Sequence, residues 1–148
     1  MTLDDIQGSI TQGDRAIKKA LEIVEEYIQR HPEKKDSTHN LILNAKRKIA
    51  QLPPAFLNQI KVTKKYSDYI ESSLSHSKNP VEASVLVMNK AHDDANRKIL
   101  DAKESRTKRN REMEKNIVIK YIQNNHLAFV ALFELYNIFQ DIKTEINR

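Results

Sequence analysis

Residues 127–146 read LAFVALFELYNIFQDIKTEI, and this stretch decides the fold. Ala128, Leu132, Leu135, Phe139, Ile142 and Ile146 recur at alternating four- and three-residue steps, the spacing of one helical face. Phe129, Phe133 and Tyr136 form a second stripe beside the first. A helix that is apolar over most of its circumference needs cover on at least two sides. The expectation is therefore the central helix of an antiparallel bundle. The same pattern suits a dimer or partner interface built from Leu132, Phe133, Leu135, Tyr136, Phe139 and Ile142. Glu134 and Asn137 interrupt the most apolar run, residues 127–139, which is far shorter than the roughly 20 residues that span a bilayer. No membrane insertion is expected.

The chain outside this stretch reads the same way. It has only two glycines in 148 residues, Gly8 and Gly13, so positions suited to β-hairpin turns or phosphate-cradling loops are almost lacking. Helical periodicity then gives an all-α class: a helical bundle of four to five helices in a single domain over 1–148, with one long, partly protruding basic helix. The expected helices cover about 3–30, 37–52, 54–75, 80–124 and 126–147. In the first, Leu3, Ile6, Ile10, Ile17, Val24 and Ile28 make one stripe, with Ala20 and Leu21 filling in. Each glycine weakens a helix by about 1 kcal/mol relative to alanine, so the first two turns are expected to be loose or separate, with Asp14 capping a later start. His31-Pro32 ends this helix, because proline disfavours α geometry in the residue before it. Asp36 is expected to cap the second helix and His39 to lie on the surface. Leu41, Ile42, Ala45, Ile49 and Leu52 mark this helix, and Pro53-Pro54 stops it.

Phe56, Ile60, Ile70 and Leu74 give the third helix one face, followed by a loop over 72–79. Asn79-Pro80 then supplies an N-cap and a proline at the first helical position. No proline or glycine follows, so the pattern runs on, with a turn expected near Asn124-Asn125. Val85, Met88, Ala95, Ile99 and Ala102 form a thin seam there, with His92 between Met88 and Ala95.

Charge concentrates in that fourth helix. Over residues 97–115, Arg97, Lys98, Lys103, Arg106, Lys108, Arg109, Arg111 and Lys115 face only Asp101, Glu104, Glu112 and Glu114, a net +4 out of +5 for the chain. Arg97, Lys98, Arg106, Lys108, Arg109 and Arg111 are the candidate phosphate contacts, because cations along one rod replace condensed counterions on a nucleic-acid backbone. Lys46, Arg47, Lys48, Lys61, Lys64 and Lys65 would extend that surface. The competing reading is a solvated helix with ion pairs Asp93–Arg97, Asp94–Lys98 and Glu104–Lys108, and no aromatic lies among the cations to stack on bases.

Other chemistry finds little support. No cysteine is present, which removes thiolates and disulfides and suits a reducing compartment. The first ten residues carry Asp4 and Asp5 and no apolar leader, so the expected compartment is cytoplasmic. His31, His39, His76, His92 and His126 never fall at i,i+4, and no metal or cofactor is expected. In His92-Asp93-Asp94, neighbouring side chains diverge on a helix and do not converge on one point. The expected function is a non-catalytic protein-interaction or assembly module acting through the apolar C-terminal helix on a protein partner or a second copy. The alternative is a nucleic-acid-binding accessory protein using 97–115 without base readout. An inhibitory, immunity-type partner is a third form of the first reading.

Overall fold

The computed structural model describes residues 1–76 and 79–148, and all their side chains except those of Lys65, Ser75, His76 and Val118. Among the described residues there are seven α-helices and no strand: α1 Asp14–Arg30, α2 Lys35–Ala50, α3 Pro54–Val62, α4 Lys64–His76, α5 Pro80–Leu100, α6 Ser105–Asn124 and α7 His126–Ile146. The all-α class is as expected. The helix count is higher than expected because two of the five anticipated helices are broken without proline or glycine.

The first break falls at Thr63, which is extended (φ −110°, ψ 97°). It divides the expected helix 54–75 into α3 and α4. Two β-branched residues, Val62 and Thr63, meet here, and threonine is a good residue on which to restart a helix. Its carbonyl accepts the Tyr66 and Ser67 N–H groups at 3.0 and 3.3 Å. The Ser67 hydroxyl donates to the Ile60 carbonyl at 3.0 Å, satisfying an acceptor in the last turn of α3. α4 continues through His76, past the residue where a loop was expected. The rest of that loop, Ser77 and Lys78, lies outside the described residues, as do the side chains of Lys65 and His76.

The second break spans 101–104, where Asp101 ends α5 and Glu104 turns extended (φ −105°, ψ 141°) ahead of α6. An unbroken helix over 80–124 would leave the apolar side of α5 without a partner. Folding back gives it one. Asn125 ends α6 at the expected turn, its side-chain amide donating to the Tyr121 carbonyl at 2.8 Å.

At the N-terminus, Leu3–Asp5 and Gln7–Thr11 form short 3-10 turns, and the regular helix starts only at Asp14. Gly13, not Asp14, occupies the N-cap, with φ +96°, a conformation that side chains with a Cβ rarely adopt. Asp14 instead sits in the first turn and pairs with Lys18 at 3.0 Å. Asp36 is likewise inside the first turn of α2, whose N-cap is Lys34, while His39 is exposed as expected.

The chain divides into two compact units, one of residues Met1–Ser67 and Ala131–Arg148, the other of Asp68–Val130. The first unit holds Ile6, Ile10, Ile17, Val24, Leu57, Ile60, Leu132, Phe133, Leu135, Phe139 and Ile142, all essentially without exposure. Polar contacts fasten its two chain segments together. Lys34 Nζ donates to the Arg148 carbonyl at 2.7 Å, Lys143 Nζ donates to the Asp4 carbonyl at 3.1 Å, and Lys48 pairs with Glu134.

In the second unit α5 packs along α6. Ser84 meets His126, and Asn96 meets Lys115, so numbers rise on one strand of contacts as they fall on the other. The two helices are therefore an antiparallel hairpin closed by 101–104. Its buried α5 residues are Ala83, Ser84, Val87 and Ala91. The seam lies beside the expected one: Val85 is exposed, Met88, Ala95, Ile99 and Ala102 are half-buried, and His92 is exposed and hydrogen-bonded to Asn96.

Candidate binding surface

The apolar face of the C-terminal helix offers little surface. Of the six residues expected at a partner interface, Leu132, Phe133, Leu135, Phe139 and Ile142 are interior to the first unit, and Tyr136 alone is half-buried. The heptad spacing that marks a dimer seam is also the spacing of a helix buried in its own chain, so periodicity alone does not separate the two. Here the chain covers its own helix.

The basic segment is exposed, but its cations are distributed around a hairpin tip and not along one rod. Arg97 is held by Asp94 at 2.7 Å, an i,i+3 pair in place of the anticipated Asp93 contact. Lys98, Asp101, Lys103, Glu104 and Arg111 line a concavity of about 500 Å³ where the chain turns, alternating in sign. Lys46 and Lys48, anticipated extensions of the basic surface, pair with Glu25 and Glu134.

α6 has two contrasting sides. Arg111, Lys115, Ile119 and Ile122 follow four- and three-residue steps and are the side turned to α5, with Lys115 Nζ donating to Asn96 Oδ1 at 2.6 Å. Small α5 residues, Ala91 and Ala95, suit such long side chains, whose aliphatic stems cover apolar surface while the charged ends stay wet. On the opposite side, Arg106, Arg109, Met113, Ile117 and Lys120 lie in one row and are all exposed. Met113 keeps 60% and Ile117 67% of its accessible surface, one turn apart within a row that is otherwise cationic; Val62, Leu100 and Leu127 are exposed as well. No described side chain from 105 to 121 is buried.

One polar pair escaped sequence reading. Ser84 Oγ and His126 Nδ1 are hydrogen-bonded at 2.7 Å, although 42 residues separate them. A hydroxyl beside an imidazole is the start of a nucleophile–base arrangement, but Ser84 is fully buried. The pair ties the base of the hairpin to the first residue of α7. Only the fold-back at 101–104 brings the two into register, so no local motif announces them.

A second concavity of about 410 Å³ lies between α4 and α5, with Ser72, Ser73, Lys90, Asp93 and Asp94 on its wall. The Asp94 carboxylate is already engaged by Arg97. Among the described residues no group of three or more His, Asp or Glu is placed to hold a metal ion. His31 stacks on Tyr27 with ring centroids 4.1 Å apart. Among the described residues no helix is long and apolar enough to cross a membrane. Compared with protein-family models, curated proteins and solved structures, the chain matches none.

Proposed function

We propose that this chain is a non-catalytic helical binding module whose contact surface is the side of α6 turned away from α5. The observation that carries this reading is the row of Arg106, Arg109, Met113, Ile117 and Lys120, apolar in the middle and cationic at both ends. Apolar side chains of this size are held in water only at a cost, and covering them with a partner recovers it. Residues 131–146 of the apolar C-terminal helix serve as a structural member of the first unit, while the basic element anticipated as one long helix is a hairpin. A cysteine-free chain of this kind suits the cytoplasm.

The test is differential capture with the immobilised protein. Met113→Ser with Ile117→Ser removes two exposed apolar groups and is expected to leave the helical circular dichroism unchanged. Proteins retained by the unsubstituted chain should be lost with the double variant and kept by Tyr136→Ser. Equal retention by all three contradicts the reading.

A second reading is favoured by the charge alone: the exposed cations of 97–115 laid along a phosphate backbone. Titration of labelled mixed-sequence DNA and RNA at about 50 and 200 mM salt discriminates the two, because six or more phosphate contacts weaken binding roughly 10³-fold over that range. Binding with that slope, abolished by Arg106→Glu, Arg109→Glu and Arg111→Glu together, would move this reading to the front.

A further inference from the structure

Resting on the reading of α6 as the contact surface, we infer that its partner is an acidic amphipathic helix of about four turns, laid along the row from Arg106 to Lys120. The row is 14 residue steps, or about 21 Å, long. Met113 and Ile117 sit near its middle, one turn apart, so an opposing helix would meet them with apolar residues at i, i+3 or i+4 spacing. Arg106 and Arg109 lie toward one end and Lys120 toward the other, so the partner's carboxylates belong at both of its ends. Glu112 and Glu114 each neighbour Met113 and so point about 100° to either side of it, leaving the row itself free of carboxylates.

The same residues disfavour other occupants. A second copy of α6, parallel or antiparallel, would set Arg106 and Arg109 against cations of its own kind, with like-charge repulsion at both ends. A phosphate backbone would meet the cations but leave Met113 and Ile117 against charged oxygens. A membrane surface asks for a wide apolar face with aromatic or leucine anchors, and this row has two apolar residues and no aromatic.

The experiment uses the full chain, 15N-labelled, and three synthetic 18-residue peptides. One has leucine at i, i+3, i+7 and i+10 with glutamate toward both ends, one has lysine for every glutamate, and one scrambles the acidic sequence. The acidic amphipathic peptide should bind saturably, with amide shift changes confined to residues 106–120 and affinity at least about tenfold above both controls. Ile117→Ser and Arg109→Glu should each weaken it at least about tenfold, and Lys18→Glu in α1 should leave it unchanged. Equal binding of the scrambled or the lysine peptide, shifts elsewhere, or no binding at millimolar peptide would overturn the inference. So would a 20-base-pair RNA duplex or an anionic phosphatidylserine vesicle that binds 106–120 more tightly than the peptide and ignores Ile117→Ser. Unbiased peptide display separates this failure from failure of the reading beneath it. Binders that map to 106–120 without acidic residues remove the acidic helix and keep the surface, whereas binders that map elsewhere remove both.

Discussion

The first unit and the α5–α6 hairpin solve the same problem, how a helix hides its apolar side, with opposite means. In the first unit the apolar face of α7 over 131–146 is closed in, with Leu132, Leu135, Phe139 and Ile142 fully buried. In the hairpin, α5 and the mostly polar α6 meet over a seam of small residues that includes Ala83, Ser84, Val87 and Ala91, and α6 leaves Met113 and Ile117 in water. Dense burial fixes a fold, because every group removed there leaves a cavity. A thin seam with exposed apolar groups adds little to stability and leaves a surface able to take a partner. Apolar content alone therefore does not locate a binding surface. The most apolar helix of this protein has its apolar face buried inside the first unit, and two apolar residues in a charged helix are the better candidate.

Substitutions break or sharpen that contrast. Phe139→Ala should cost about 3–5 kcal/mol in urea unfolding, the range for a large aromatic removed from a packed interior. Ile117→Ala, its counterpart on α6, should stay within about 0.5 kcal/mol of the unsubstituted protein. A loss at Ile117 comparable with that at Phe139 would show that the α6 row is covered in solution.

Next in size is Ala91→Leu. Ala91 is buried in the α5 seam, and added methyl and methylene groups should force the hairpin helices apart at a cost of about 1–3 kcal/mol. Thermal unfolding measures it, and an unchanged midpoint would mean the seam is slack. Gly13→Ala should cost about 1–2 kcal/mol, because the new side chain inherits φ +96° and its Cβ would stand 3.1 Å from both Asn58 Oδ1 and Lys61 Cδ. Ser84→Ala should cost about 1 kcal/mol through the lost bond to His126, read by the same urea titration.

The smallest effect belongs to Asp5. Its carboxyl lies below the usual 3.8 because it accepts the backbone N–H of Thr2, and then the Thr2 hydroxyl, with Lys143 adding attraction. A carboxyl depressed in the folded state contributes stability above its unfolded value and loses it as pH falls through the folded one. The difference between the native chain and Asp5→Asn should therefore be seen above pH 3.8 and vanish in more acidic solution. A difference that grows on acidification would contradict that sign.

How much of this is legible in the sequence follows from which signals are local. The stop at His31-Pro32 and the restart at Asn79-Pro80 follow from prolines that restrict the backbone, the turn at Asn124-Asn125 from residues that favour turns, and the all-α class from helical periodicity with almost no glycine. The breaks at Thr63 and at 101–104 carry no such residue. The first has only the weak local signal of two β-branched residues, Val62 and Thr63, with Ser67 reaching back to Ile60, and the second is set by tertiary cover, α5 gaining α6 along its buried side. The same limit governs the candidate surface. Spacing placed Leu132, Phe133, Leu135, Phe139 and Ile142 on a contact face, but only packing shows that the face is already filled. By spacing Met113 counts as a seam residue with Ile99 and Ala102, and two apolar residues among charges, Met113 and Ile117, give a periodic signal too weak to mark a surface. Once α5 is known to cover Arg111 and Lys115, the row opposite stands out.

Hydrogen exchange of the free 148-residue chain, followed by mass spectrometry at two protein concentrations, tests the contrast most directly. Amides of α7 from 129 to 142 should exchange only through global unfolding, and those of α6 from 105 to 121 should exchange far faster through local opening, at the same rate in dilute and concentrated samples. Protection over 105–121 equal to that of α7, or rising with concentration, would mean that the α6 row is already covered, and would contradict its assignment as the open surface.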